Sequence, residues 1–242
     1  LGAGILVHEA VTIERGATLA VAAAVTATVD GADAPSVVHT DADSLQHLRR
    51  WDLDVDAGTT VTVTTGCGVT SSNDGPDPVD RALTSARHVI AHGFDAELDH
   101  SAQAWRRFWD RSDVVIEGDL AAQAALRFCL YHNRIATPAH SDRLPIGARG
   151  LSCQAYQGAA FWDQEIFNLP TFLFTEPEIA RNLLVYRWQT LGGARRKARR
   201  LGYEGAFYAW ISGDTGDELC PDFFFVDVLT GRPIRNHFND WQ

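Results

Sequence analysis

Asn73-Asp74-Gly75-Pro76-Asp77-Pro78-Val79 is the stretch on which the fold turns. Before it, apolar residues tend to recur at every second position; after it, they recur at helical spacing. A period of two belongs to a strand with two faces, and a period of about 3.6 to a helix with one apolar stripe. Asn-Asp-Gly-Pro is turn chemistry. Asp77 is placed to cap a helix, and Pro78 suits its first turn, where a missing N–H is no loss.

Upstream, Val11-Thr12-Ile13-Glu14 and Trp51-Asp52-Leu53-Asp54-Val55-Asp56 alternate, and Thr59 to Thr65 is β-branched around Val61 and Val63. Asp30-Gly31, Ala57-Gly58 and Asn73 to Pro76 supply turns at sheet-like intervals. One-sided alternation predicts an antiparallel sheet packed on one face. Residues 1–76 are therefore expected to be the C-terminal part of a β-sandwich domain, with further strands upstream. Downstream, Val79, Leu83, Ala86 and Ile90 share one helical face; Gly93 interrupts, and Phe94, Leu98, Ala102, Trp105 and Trp109 share another. Residues 77–117 thus predict a helical linker of two helices. A third helix runs from an Asp119 cap through Phe128 and Ile135 and stops before Pro138. Thr175-Glu176-Pro177-Glu178 has the spacing of a capping box, opening a helix with Ile179, Leu183, Tyr186, Leu191 and Ala194 that ends near Leu201-Gly202. Residues 139–174 and 203–242 are aromatic-rich and loop-like, and irregular stretches of that length usually build a site.

Composition narrows the function. In 242 residues, 45% are hydrophobic and 21% charged, enough apolar surface to offset the ordering entropy of a fold. No apolar run reaches the roughly 18 residues of a membrane span; Ala20 to Val29 is too short. A net charge of -10 argues against nucleic acid or an anionic membrane as partner and is compatible with neutral polyols such as sugars. Cys67, Cys129, Cys153 and Cys220 are scattered, so a zinc-binding thiol set is not expected, while disulfides are allowed but not demanded. The absence of methionine and the start at Leu1 suggest a piece of a longer protein. No phosphate-binding loop, dinucleotide fingerprint or nucleophile elbow occurs. His88 and His92, at i and i+4, could chelate a metal but lie on a polar face with no glutamate between them at the zincin position; they are expected to be solvated. Arg195 to Arg200 is basic, and inside a helix of an acidic chain a salt-paired face is expected. Asp214, Asp217 and Glu218 suggest an acidic turn, and His237 and Trp241 are candidates for a site rim.

Two segments concentrate aromatic and acidic residues: Gly150 to Glu165, with Tyr156, Phe161, Trp162 and Asp163, and Gly205 to Glu218, with Tyr208, Trp210 and Asp214. A pyranose offers a flat C–H face to an aromatic ring and paired hydroxyls to a carboxylate, and Asp163 beside Trp162 supplies both.

Phe161-Trp162-Asp163-Gln164-Glu165, then Leu169-Pro170, Glu178 to Arg187, and Leu201-Gly202-Tyr203-Glu204-Gly205 resemble glycoside hydrolase family 65, in the family's order over residues 119–242. That family holds maltose, trehalose and kojibiose phosphorylases, with some α-glucoside hydrolases and acid trehalases. The resemblance implies a β-sandwich, a helical linker over 77–117 and, in 118–242, the first part of an (α/α)6 barrel. It further implies an enzyme that inverts configuration while cleaving α-linked glucose disaccharides. Phosphorolysis, with inorganic phosphate as co-substrate, is the leading expectation. Phosphate-independent hydrolysis and a non-catalytic carbohydrate-binding module are the alternatives. Trp162 and Asp163 match the family's glucosyl-binding Trp-Asp and are expected to form one floor under the sugar; Tyr156, Trp210 and Glu218 are added as substrate-binding candidates. Phosphorylases often carry His two residues before the motif's Phe, where this chain has Ala159.

An inverting pair of carboxyl groups sits about 6.5–9.5 Å apart across the sugar. Asp163 and Glu165 are poorly placed for that, being about 200° apart on a helix and on the same side of a strand. By resemblance the general acid is a glutamate beyond Gln242. No cofactor and no metal are expected. The expected partner is a small α-glucoside rather than nucleic acid or membrane, a homodimer is left open, and a cytoplasmic location is expected over secretion.

Overall fold

The structure is a computed structural model and describes residues 4–13, 15–41, 46–151 and 155–236. Cys153, His237 and Trp241 lie outside the described residues. The chain divides into two compact units at Arg106/Arg107.

Unit one is built around β2 (Thr18–Val29), the most apolar stretch of the N-terminal region. It pairs antiparallel with β1 (Ile5–Val11) and β3 (Ala32–Asp33), and along nearly its whole length with β6 (Val61–Ser71). The β2–β3 hairpin turns through Asp30 and Gly31, both at positive φ (47° and 83°), the two-residue turn whose twist matches the strands it joins. β4 (Val37–Asp41) and β5 (Gln46–Arg50) form a separate hairpin.

Two sequence expectations fail here. β1 ends at Val11, and the Gly16 N–H bonds to the Thr12 carbonyl at 2.9 Å, so the Val11 alternation marks a strand end. Trp51 to Asp56 is irregular despite its alternation. A half-buried, half-polar pattern becomes a strand only where a neighbour completes the hydrogen-bond ladder.

Helix α1 (Pro78–His92) begins where the period changes. Asp77 occupies the cap position but in the left-handed region (φ 50°, ψ 57°), and its side chain makes no capping bond. Although read as a linker, α1 packs on the sheet: Ala82 and Ala86 bury completely against Ala20, Ala22 and Ala24, flanked by Val79, Leu83 and Ile90. The interface is built from the smallest residues because helix and sheet approach closely. A Cβ on Gly68 would lie 2.2 Å from the Ala82 carbonyl oxygen, and one on Gly66 would lie 2.9 Å from Ile90 Cγ1. Gly93 ends α1 at φ 84°, and α2 (Phe94–Ser112) follows at once.

Unit two holds α3 (Leu120–Ala136), capped by Asp119 accepting from the Ala122 N–H at 2.9 Å, as expected. The buried Gln123 side chain donates to the Val114 carbonyl and accepts from the Ile116 N–H, pinning the connector before the helix. Residues expected to be loop after Asp163 are helical instead: a π-helical turn (Gln164–Asn168) runs into α4 (Leu169–Thr175). The capping box does not form. Thr175 is the last residue of α4, and its hydroxyl donates to the Thr171 carbonyl. α5 (Pro177–Gln189) starts after Glu176, whose carboxylate pairs with Arg134 at 2.8 Å. A helix expected to be continuous to Leu201 breaks at Thr190, and α6 (Leu191–Arg200) follows. Gly193 and Gly216 explain the break's surroundings: a Cβ on either would fall 2.1–2.2 Å from backbone of the other segment. Phe172, Ile179, Ala180, Leu183 and Ile146 form the core of this unit. Short strands β7 (Ala160–Phe161) and β8 (Ile211–Ser212) pair, as do β9 (Phe223–Val226) and β10 (Pro233–Arg235). No described helix is long and apolar enough to cross a membrane.

Candidate functional site

The two aromatic segments are brought together by the β7–β8 ladder, which sets Ala160 opposite Ser212 and Phe161 opposite Ile211. Trp210 then meets Phe161 edge-on (centroids 5.3 Å, 82°) and Trp162 at a tilt (5.1 Å, 56°), while Tyr156 stands edge-on to Phe161 at 5.0 Å. In such T-shaped contacts the edge of one ring packs on the face of the other.

A cleft of about 770 Å³, within the range of small-molecule sites, is lined by Tyr156, Phe161, Asp163 and Trp210, together with His132 and Asn133 of α3. Trp162 does not line it. Its indole faces a second, largely apolar cavity of about 550 Å³ with Glu165, Arg187, Trp188 and Tyr208. The single floor expected from Trp162 and Asp163 is thus split. Consecutive residues in a helical turn diverge by about 100°; Trp210 lines the cleft with Asp163, and its ring meets that of Trp162.

Three carboxylates of these segments have different environments. Glu165 is joined to Arg187 of α5 by two hydrogen bonds, Nε to Oε1 and Nη2 to Oε2, each 2.8 Å, and also accepts from Gln164 at 2.6 Å. Arg187 also donates to Ser212 Oγ at 2.7 Å and to the Phe161 carbonyl at 3.1 Å. Tyr186 donates to the Gly213 carbonyl at 2.7 Å, and burial pushes its phenol above the ordinary range. Glu218 is buried. It pairs with Lys197 at 2.7 Å and accepts from the backbone N–H groups of Trp210, Ile211 and Cys220. Its carboxylate is turned into the protein and lines neither cavity, so the structure does not gather Glu218 with the other candidates. Asp163 differs from both: half-buried at the cleft, it has no hydrogen-bond partner among the described residues.

Sequence reading missed Arg187 and Lys197. Each carried a signal. Arg187 follows Leu183 and Tyr186 on the buried face of α5, and Lys197 follows Gly193 and Ala194 on that of α6. A charge on an apolar stripe needs a buried partner. In the basic cluster, Lys197 therefore points inward, and Arg196 pairs with Asp217 through bonds of 2.7 and 2.8 Å that hold that carboxyl below the ordinary range. Among the described residues, Cys67, Cys129 and Cys220 are not joined in disulfides, and Cys220 Sγ accepts from the Asn236 amide at 3.0 Å.

Residues 3–108 match the N-terminal domain of glycosyl hydrolase family 65, and residues 127–238 match that family's central catalytic domain. A 1,2-alpha-glucosylglycerol phosphorylase of Bacillus selenitireducens is 59% identical over 80% of this chain and 25% of its own length. A kojibiose hydrolase of Flavobacterium johnsoniae is 35% identical over 81% of this chain and 28% of its own. A solved structure of a candidate kojibiose phosphorylase from human microbiome shares the fold with TM-score 0.70 at 24% identity, over 89% of this chain and 28% of that one. The chain spans about a quarter of the length of these relatives. With sheet unit and helical unit each matched by a domain of one family in that family's order, the chain belongs to glycosyl hydrolase family 65.

Proposed function

We propose that the whole protein cleaves an α-linked glucoside with inversion, by phosphorolysis, and that this chain supplies the wall that holds the glucosyl unit. One observation carries the reading. Of Asp163, Glu165 and Glu218, only Asp163 keeps its acceptor sites open toward a cleft, beside the rings of Tyr156 and Trp210. Asp163 would accept from sugar hydroxyls while Tyr156 and Trp210 offer faces to its C–H side. Trp162 would bear on the far side of Trp210, and Glu218 would act by fixing the Trp210 backbone. Residues 1–76 would belong to the sandwich, 77–117 to the linker and 118–242 to the opening part of an (α/α)6 barrel. The general acid would come from the part of the protein outside this chain, and phosphate would attack the anomeric carbon from the face opposite the leaving oxygen. The proposed substrates are trehalose-, maltose- or kojibiose-type disaccharides or, from the glucosylglycerol relative, a glucoside with a glycerol aglycone.

Hydrolysis is the second reading. It is favoured by Ala159 in place of the phosphorylase histidine and by the kojibiose hydrolase among the relatives. Incubating the full-length protein with these glucosides, with and without phosphate, separates the two. Phosphate-dependent release of β-glucose 1-phosphate is the expected result, and phosphate-independent glucose release overturns it. Asp163→Asn should lower kcat/KM by about 10- to 150-fold, the worth of one hydrogen bond to a charged group. Unchanged kcat/KM would remove Asp163 from the site.

A further inference from the structure

His88 and His92 occupy the last turns of α1, one turn apart, with ring centroids 4.2 Å from each other. Spacing of i and i+4 aligns two side chains on one helix face. A third group comes from outside that helix. Gly93, at φ 84° with its N–H on the Val89 carbonyl, ends α1, and α2 sets off at Phe94. The first-turn Glu97 is thereby carried back to His92, with Oε1 3.0 Å from Nδ1. Potential ligand atoms of His88, His92 and Glu97 all lie within 4.8 Å of one another. A helix-based search for a carboxylate between the histidines misses this one, because it arrives across the helix break.

We propose that His88, His92 and Glu97 form a zinc site that clips the α1–α2 junction. Two imidazoles and one carboxylate are a borderline donor set suited to Zn²⁺, whereas Mg²⁺ and Ca²⁺ prefer oxygen throughout. Tetrahedral coordination with bonds of about 2.0–2.2 Å sets ligand atoms about 3.4 Å apart. The observed spread closes to that by rotation of two exposed histidine side chains, His92 at 57%, and of the half-buried Glu97 at 29%. Water completes the fourth position. The histidine pair is presented on a firm base, since α1 is held by Ala82 and Ala86 against the sheet. Binding replaces the His92–Glu97 hydrogen bond by two bonds to the ion. The site lies within the N-terminal unit, and its role is structural: it ties the last turn of one helix to the first turn of the next.

The test is calorimetric titration of Zn²⁺ into the full-length protein after chelator treatment, with Mg²⁺ as the control cation. One equivalent should bind, and thermal stability should rise with Zn²⁺ but not with Mg²⁺. His88→Gln and Glu97→Gln should each weaken Zn²⁺ binding by at least about tenfold, the scale seen for loss of even an outer partner of a metal ligand. His8→Gln should leave it unchanged. Absence of stoichiometric binding, or affinity that survives both site substitutions, overturns the proposal. The glucoside assays above do not bear on it.

Discussion

Glu165 and Arg187 meet fork to fork, 22 residues apart in sequence, through two hydrogen bonds of 2.8 Å. The pair locks the π-helical turn after Asp163 onto α5. Through Ser212 and the Phe161 carbonyl it also reaches both strands of the β7–β8 ladder. Glu165, a motif residue without an evident role in sequence, thus positions its neighbours rather than facing the cleft.

Removing the Glu165 charge should therefore be costly. Arg187 is 8% exposed at its side chain and would lose its counter-charge in Glu165→Gln. Broken buried pairs cost about 3–5 kcal/mol, and partial exposure of Glu165 places this one near about 3 kcal/mol. Urea unfolding measures it. A loss below about 1 kcal/mol, the worth of a surface pair, would show that the pair is dispensable.

At Lys197–Glu218 the two partners should be unequal. Glu218→Gln removes the counter-charge of a buried ammonium and should cost about 4 kcal/mol. Lys197→Met leaves Glu218 with three backbone N–H donors and should cost clearly less. Only the glutamate variant should alter the near-ultraviolet dichroism of the tryptophans, because Trp210 hangs on that carboxylate by its N–H. Equal losses in denaturant unfolding would contradict the assignment.

Gly68→Ala should destabilise the N-terminal unit by about 3 kcal/mol, the upper end for overpacking, because the new methyl group meets a helix carbonyl at 2.2 Å. Gly66→Ala should cost less, about 1–2 kcal/mol, since Ile90 can swing aside even though the Ala86 carbonyl lies 3.0 Å away. Reversal of that order in thermal melts would mean that α1 does not sit on β6 as described.

Stability should fall at both ends of the pH scale for identifiable reasons. Hydrogen bonds from Arg196 lower the Asp217 carboxyl, so its contribution is complete above the ordinary aspartate value of about 3.9 and is lost as pH falls through the lowered folded value. Arg196→Gln should flatten that acid limb. Burial raises the Tyr186 phenol, so its contribution is complete below about pH 10 and is lost as pH rises through the raised folded value. Tyr186→Phe should flatten the alkaline limb. Melting temperature against pH, compared with the unaltered chain, reads both signs.

Local rules made several features legible in the sequence alone. The change of period at Asp77-Pro78, the Asp30-Gly31 hairpin, the Asp119 cap and the family motif through Phe161 to Glu165 each depend on residues within a few positions of one another, and each could be read from the chain. What the tertiary structure decided were relationships over distance. Trp51 to Asp56 alternates like a strand yet has no strand partner among the described residues; α1 looks like a linker yet lies on Gly66 and Gly68; Thr175 looks like a cap yet ends the preceding helix. The same holds at the site. The sequence placed Trp162, Asp163, Trp210 and Glu218 among the aromatic and acidic candidates, but only folding showed which carboxylate is tied up by a buried cation and which stays open. The site's ion pairs join residues 21 and 22 apart, and a carboxylate's surroundings, unlike its helical phase, are not written in its neighbours.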